Sequence, residues 1–247
     1  MSGKETWNYF AEADPYYAVA TYEKFRDENV NDDRLDEFFA SGQAYVDKLW
    51  REIESLNEGE FRPRRSLDFG CGVGRLAIPI AMRSEQAVGM DISPKMMEIA
   101  GENAKARNVH NITFAESGDT LKFPGDEGFD LIHSFVVIQH IPSRLGEDLM
   151  RQMIENLKPD GIGVLHVTYK IIGSRMFDLY MKFPLLYKLR CLVKGRDKFL
   201  IPMYDYDLNR VFGLLQESGC YNCRVRFTDH GSKGVMLIFK KTGEIFD

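Results

Sequence analysis

Between Arg65 and Asp91 the chain sets two carboxylates and three glycines in an order that could cradle a ligand. The stretch reads RSLDFGCGVGRLAIPIAMRSEQAVGMD. An apolar run carries Asp68, glycines follow at alternate positions (Gly70, Gly72, Gly74), a helix-like run comes next, and a second apolar run ends in Asp91. Glycine has no Cβ and tolerates positive φ, so such a run lets the backbone turn tightly and approach a ligand closely. An acid about 20 residues past the turn is placed to accept hydrogen bonds from ribose hydroxyls. The spacing predicts an adenosine-type cofactor held by a βαβ unit.

Two cofactor classes compete for this segment. Gly72, Gly74 and Ala77 satisfy the G-x-G-x-x-G/A fingerprint of dinucleotide enzymes, with Asp91 at a suitable distance. An NAD(P)-linked reductase is therefore one reading, although the chain offers no Tyr-x-x-x-Lys beside the expected sheet. Asp68 favours the other. A carboxylate two residues before the first glycine suits a ligand carrying an ammonium group and sits badly against a pyrophosphate. Asp68-Phe69-Gly70-Cys71-Gly72-Val73-Gly74 resembles motif I of class I S-adenosylmethionine (SAM)-dependent methyltransferases, and VGMDIS resembles their next motif.

The elements that must position these groups follow the same resemblance along most of the chain. Ser93 is an N-cap candidate with Pro94 in the first helical turn. NITFAESGD reads as a strand ending near Gly118-Asp119, and FDLIHSFVVIQHIP as a strand opened by Asp130. SRLGEDLMRQMIENL reads as a helix closed by LKPDG, before the strand IGVLHVTY. DLNRVFGLLQESGC and YNCRVRFTDHGSKGVMLIFKK read as a helix and a final hairpin. The resemblance implies an α/β fold: a doubly wound, mostly parallel seven-stranded sheet with an antiparallel C-terminal hairpin. It also implies a division into an N-terminal helical cap (1–60), a Rossmann-like SAM-binding core (61–169), an insertion or substrate lid after the fifth strand (170–204), and a completing helix and hairpin (205–247). Ser41-Gly42 is expected to interrupt the cap helix.

Carried onto this sequence, the family pattern puts Gly70, Gly72 and Gly74 under the methionine part of SAM. Asp68 orders that turn or faces the ammonium, and Asp91, with Ile92 beside it, takes the ribose hydroxyls. Gly118 or Asp119 meets the adenine amino group, with the acid one residue later than the pattern expects. Arg75 reaches the SAM carboxylate or caps the neighbouring helix, and Ser134 lines the cofactor at the end of the fourth strand. A sulfonium methyl is already activated, so transfer needs chiefly an in-line nucleophile at about 3 Å. A base would add about 10²–10⁴-fold for a hydroxyl or protonated amine. His140, just after the fourth strand, is the candidate base, because imidazole titrates near neutrality; Gln139 is a candidate substrate contact. His133 and His166 lie within apolar runs and read as core histidines, and His230 lies in a turn.

Composition narrows the acceptor. Net charge is −5 and the pI about 5.6, against the basic domain expected of a nucleic-acid binder. Ser134-Phe135-Val136-Val137 stands where enzymes acting on amides or base amines resemble one another in Asn/Asp-Pro-Pro-Tyr/Phe. A small or medium-sized organic acceptor, methylated on O or N, is the expectation; a SAM-fold protein that binds a partner without turnover is the alternative. The four cysteines and the single Cys220-x-x-Cys223 argue against a disulfide scaffold and against a bound metal. With a polar N-terminus and no long apolar run, a cytoplasmic protein is expected. Residues 1–60 hold 15 acidic and 6 basic side chains, while 170–198 hold 8 basic and 2 acidic. For the basic insertion this suggests, in order, closure against the acidic cap, an anionic or amphipathic acceptor, and peripheral membrane contact. Met176, Phe177, Tyr180, Phe183, Leu185 and Leu186 would form its apolar side, and Lys182, Lys188, Arg190, Lys194 and Arg196 its basic side.

Overall fold

The computed structural model describes residues 3–172, 179, 183, 185–186 and 201–242. The expected lid therefore falls almost wholly outside the described residues. Three helices come first: α1 (Gly3–Ala13), α2 (Pro15–Val19) and α3 (Asp32–Asn57). The alternating core follows as β1 (Arg65–Phe69), α4 (Ala77–Ala81), β2 (Gln86–Asp91), α5 (Pro94–Ala106), β3 (Ile112–Glu116), β4 (Phe129–Ser134), α6 (Ser143–Glu155) and β5 (Leu157–Lys170). The chain closes with α7 (Leu208–Glu217), β6 (Asn222–Asp229) and β7 (Lys233–Lys240).

The seven strands lie in the order β3-β2-β1-β4-β5-β7-β6. β1 to β5 run parallel, and β7 pairs antiparallel with both β5 and β6. This is the expected doubly wound sheet with its final hairpin. Central parallel strands are buried on both faces and so read as apolar runs; every residue of β1 is buried. After β1 the chain winds outward through β2 and β3, then returns to place β4 on the other side of β1. That reversal opens a crevice beyond the carboxyl ends of β1 and β4, where ligands bind in such sheets. Asp68, the glycine turn and Ser134 all sit at its mouth.

α3 packs Val46, Leu49, Trp50 and Ile53 against Leu131, Val164, Met236 and Ile238 on one face of the sheet. α6 and α7 cover the other face with Met150, Met153, Val211 and Leu215. The segment 1–60 thus divides between a layer of the core (α3) and two helices near the strand ends. Ser41-Gly42 does not interrupt α3, which runs unbroken through both residues. Gly42 is buried against the turn instead, and a Cβ there would overlap the Arg75 carbonyl oxygen. α3 opens on Asn31, whose side chain accepts from Arg34 N at 3.0 Å. Ser93 caps α5 with Pro94 in its first turn, as expected; such caps stabilise by about 1 kcal/mol.

Candidate active site

The glycine turn is built on backbone that other residues could not supply. Gly70, Gly72 and Gly74 hold φ of 77°, 52° and 88°. A Cβ at Gly70 would collide with Val137, and one at Gly72 would come within 2.7 Å of Val19 of α2. Asp91, at the tip of β2, closes the turn from the side: Gly72 N donates to Oδ2 and Ser93 N to Oδ1, both at 2.9 Å. Burial pushes its pKa up to about 6 against the pull of those two amides. Each oxygen keeps a lone pair for a hydroxyl donor. Ile92 lies beneath α1, near Gly3. Beyond β3, Gly118 and Asp119 are exposed, while Ser117 N donates to Asp91 O and Glu116 pairs with Lys4 of α1.

Asp68 is engaged from below. His133 Nδ1 donates to its Oδ1 at 2.7 Å, and His133 Nε2 meets the Tyr45 hydroxyl of α3 at 3.1 Å. One carboxylate oxygen thus orders a buried chain that ties β1, β4 and α3 together. Arg75 follows the turn, its guanidinium near Ser41 Oγ at 3.4 Å and under the influence of Tyr45 and Asp68. Arg75 Nε and Ser134 Oγ are buried without a hydrogen-bond partner. Two orphaned polar atoms beside a glycine cradle are what a polar ligand would satisfy, since unpaired buried groups cost about 1–3 kcal/mol. Val136 adds a second sign of constraint at the tip of β4, with φ of 60° in a region bulky residues avoid.

His140 ends a short 3₁₀ turn, Ile138–His140. Its Nδ1 donates to the Pro202 carbonyl at 2.9 Å, which leaves Nε2 as the acceptor for Gln139 Nε2 at 3.2 Å. Gln139 Oε1 in turn accepts from Thr168 Oγ1 at 2.7 Å. Burial lowers the His140 pKa from 6.5, with the Pro202 carbonyl opposing. The side chain is therefore a neutral imidazole of fixed tautomer, edge-on to Trp7 of α1 at 5.5 Å between ring centroids. The strap 202–206 holds this turn through Tyr204 N to Gln139 O and the Tyr206 hydroxyl to the carbonyls of Ile138 and Ile141. Pro202, Tyr206 and Tyr45 gave no motif in the sequence.

Residues 67–161 match a family model described as a methyltransferase domain. The core is a class I SAM-dependent methyltransferase domain. The family's cofactor is SAM, and the dinucleotide reading of the glycine turn falls with that match. Ajmaline N-methyltransferase of Rauvolfia serpentina is 33% identical over 117 residues, 47% of this chain and 40% of that protein. Demethylmenaquinone methyltransferase of Lactobacillus johnsonii is 27% identical over 204 residues, 78% of this chain and 81% of that one. The chain spans 40% and 44% of the ajmaline and norajmaline N-methyltransferases that it matches. In fold, the methyltransferase domain with its flanking helices resembles magnesium protoporphyrin IX methyltransferase of Synechocystis PCC 6803. That likeness has a TM-score of 0.64 at 19% identity, over 96% of this chain and 97% of that one. Among the described residues no helix is long and apolar enough to cross a membrane.

Proposed function

We propose that the whole chain transfers a methyl group from SAM to a nitrogen or oxygen of a small organic acceptor, with His140 as proton acceptor. The bound cofactor supplies an electrophilic methyl on sulfur. Gly70, Gly72 and Gly74 support its amino-acid end, where Arg75 and Ser134 offer their unpartnered polar atoms and Asp68 its second oxygen. Asp91 and Ile92 hold the ribose, and the loop at Gly118-Asp119 meets the adenine. The single observation that carries this reading is the pair of orphaned atoms, Arg75 Nε and Ser134 Oγ, buried beside the cradle.

His140 supports the reading of a base. An imidazole held neutral, with Nδ1 committed to a carbonyl, presents only Nε2 for a proton. Gln139, bridging His140 and Thr168, would release one amide hydrogen bond to the acceptor. Nitrogen is favoured as the methylated atom, because the ajmaline and norajmaline enzymes among the relatives are N-methyltransferases. The cap helix α1 rests on His140 through Trp7 and α2 on the cradle at Gly72 through Val19, so they would open for the cofactor to enter.

Radiolabelled SAM offered with a panel of cyclic secondary amines and phenols tests this. His140→Ala should bind S-adenosylhomocysteine (SAH) as wild type does while kcat falls about 10²-fold. The acidic limb of the wild-type pH–rate profile should lie below 6.5, since burial lowers the pKa. An unchanged kcat in a stable variant would reduce His140 to a packing residue.

A further inference from the structure

His166, which reads in the sequence as a core histidine with its needs met, has one nitrogen without a partner. The residue is 2% exposed, and its Nε2 lies 2.8 Å from Thr228 Oγ1 of β6. Its Nδ1 is buried with no hydrogen-bond partner. Orphaned buried N–H groups are rarer than under-used acceptors, so the favoured tautomer has Nε2–H donating to Thr228 and a bare lone pair on Nδ1. Burial and the nearby His230 lower its pKa to about 3, which keeps the ring neutral.

Around this ring stands a wall of aromatic side chains from three parts of the fold. Phe135, just past the tip of β4, lies 5.2 Å from His166 and 5.2 Å from His230; His166 and His230 are 5.5 Å apart. Tyr45 of α3 stacks on Phe135 at 4.7 Å. His230 sits in the exposed turn between β6 and β7, so it forms the outer wall. Arg226 and Arg75 act on His230 and on Tyr45, opposed by Asp229 at His230 and by Asp68 and Glu52 at Tyr45, so charges of both signs flank the wall.

The position suits an acceptor. Ser134 pairs in register with Leu165, so His166 lies one residue further along the neighbouring strand, roughly 5 Å sideways from the tip of β4. Thr168, which holds Gln139 beside His140, is two residues beyond His166, roughly 7 Å along β5 on the same face. A flat bicyclic molecule spans that distance.

We propose that His166 Nδ1 is the recognition point of the acceptor site: it accepts a hydrogen bond from an N–H or O–H of a flat, apolar acceptor, walled by Phe135, Tyr45 and a displaced His230. The inference rests on the methyltransferase reading and adds the substrate class to it. His166 fixes the acceptor's orientation, while the His140 end meets the reacting atom.

Indole and benzofuran, equal in size but differing in the N–H, are the probes, titrated into the full chain saturated with SAH. Wild type should bind indole about tenfold more tightly than benzofuran, about 1.4 kcal/mol. His166→Phe should erase that preference and leave SAH affinity unchanged; His166→Asn, which returns an acceptor oxygen near Nδ1, should restore much of it. If the Phe variant fails to fold, the wild-type ¹⁵N spectrum decides: indole should shift the His166 Nδ1 resonance upfield and benzofuran should not. Equal binding of the two probes, binding of neither, or a preference that survives in His166→Phe overturns the proposal. Absence of SAH binding would instead overturn the cofactor reading on which it rests.

Discussion

Asp91 is a buried carboxylate whose charge burial opposes. Its pKa in the folded chain, about 6, lies above the ordinary 3.8 because burial disfavours the charge. A raised folded pKa means that the apo protein holds a proton between these values which the unfolded chain has released. The group thus favours folding at low pH, and that contribution disappears as pH rises through 6. Ribose hydroxyls donating to the carboxylate reverse the preference, since they need the ionised form. SAH affinity should therefore be flat above pH 6.5 and fall about tenfold per pH unit below 6, with proton release on binding. Calorimetry in buffers of different ionisation enthalpy measures both; a flat profile from pH 5 to 7.5, or no change of profile in Asp91→Asn, would count against Asp91 as the ribose group. Asp91 was legible in the sequence because its spacing from the glycines is local. The chain from Asp68 through His133 to Tyr45 was not: Tyr45 and His133, 88 positions apart, meet only because α3 crosses the sheet.

α3 is the element whose placement differs most from expectation. Glycine and serine in mid-helix read as an interruption, because glycine costs about 1 kcal/mol there relative to alanine. In the fold, Gly42 is kept for close approach to the backbone of Arg75, and the helix continues. Gly42→Ala should accordingly lower Tm and weaken SAH binding, the overlap costing about 1–3 kcal/mol despite the gain in helix propensity. A rise in Tm would mean that the helix and the turn are not in contact. The strands were easier to read, since parallel strands buried on both faces leave apolar runs ended by turn residues. The strap at 202–206 was not, because the carbonyl of Pro202 fixes the His140 tautomer from 62 positions away and a carbonyl leaves no trace in residue type.

At the scale of the molecule, the reversal of winding between β1 and β4 gathers the glycine turn, Asp68, Ser134 and the His140 turn at one mouth, and α1 and α2 lie over it. The family match and that topology converge on one cofactor, which a titration of the intact chain tests most directly. SAH injected into this chain at pH 7.5 should bind one to one with a Kd on the order of micromolar, and should raise Tm by linkage. NADH under the same conditions should give no heat of binding. Heat from NADH with no signal from SAH would contradict the account at its root.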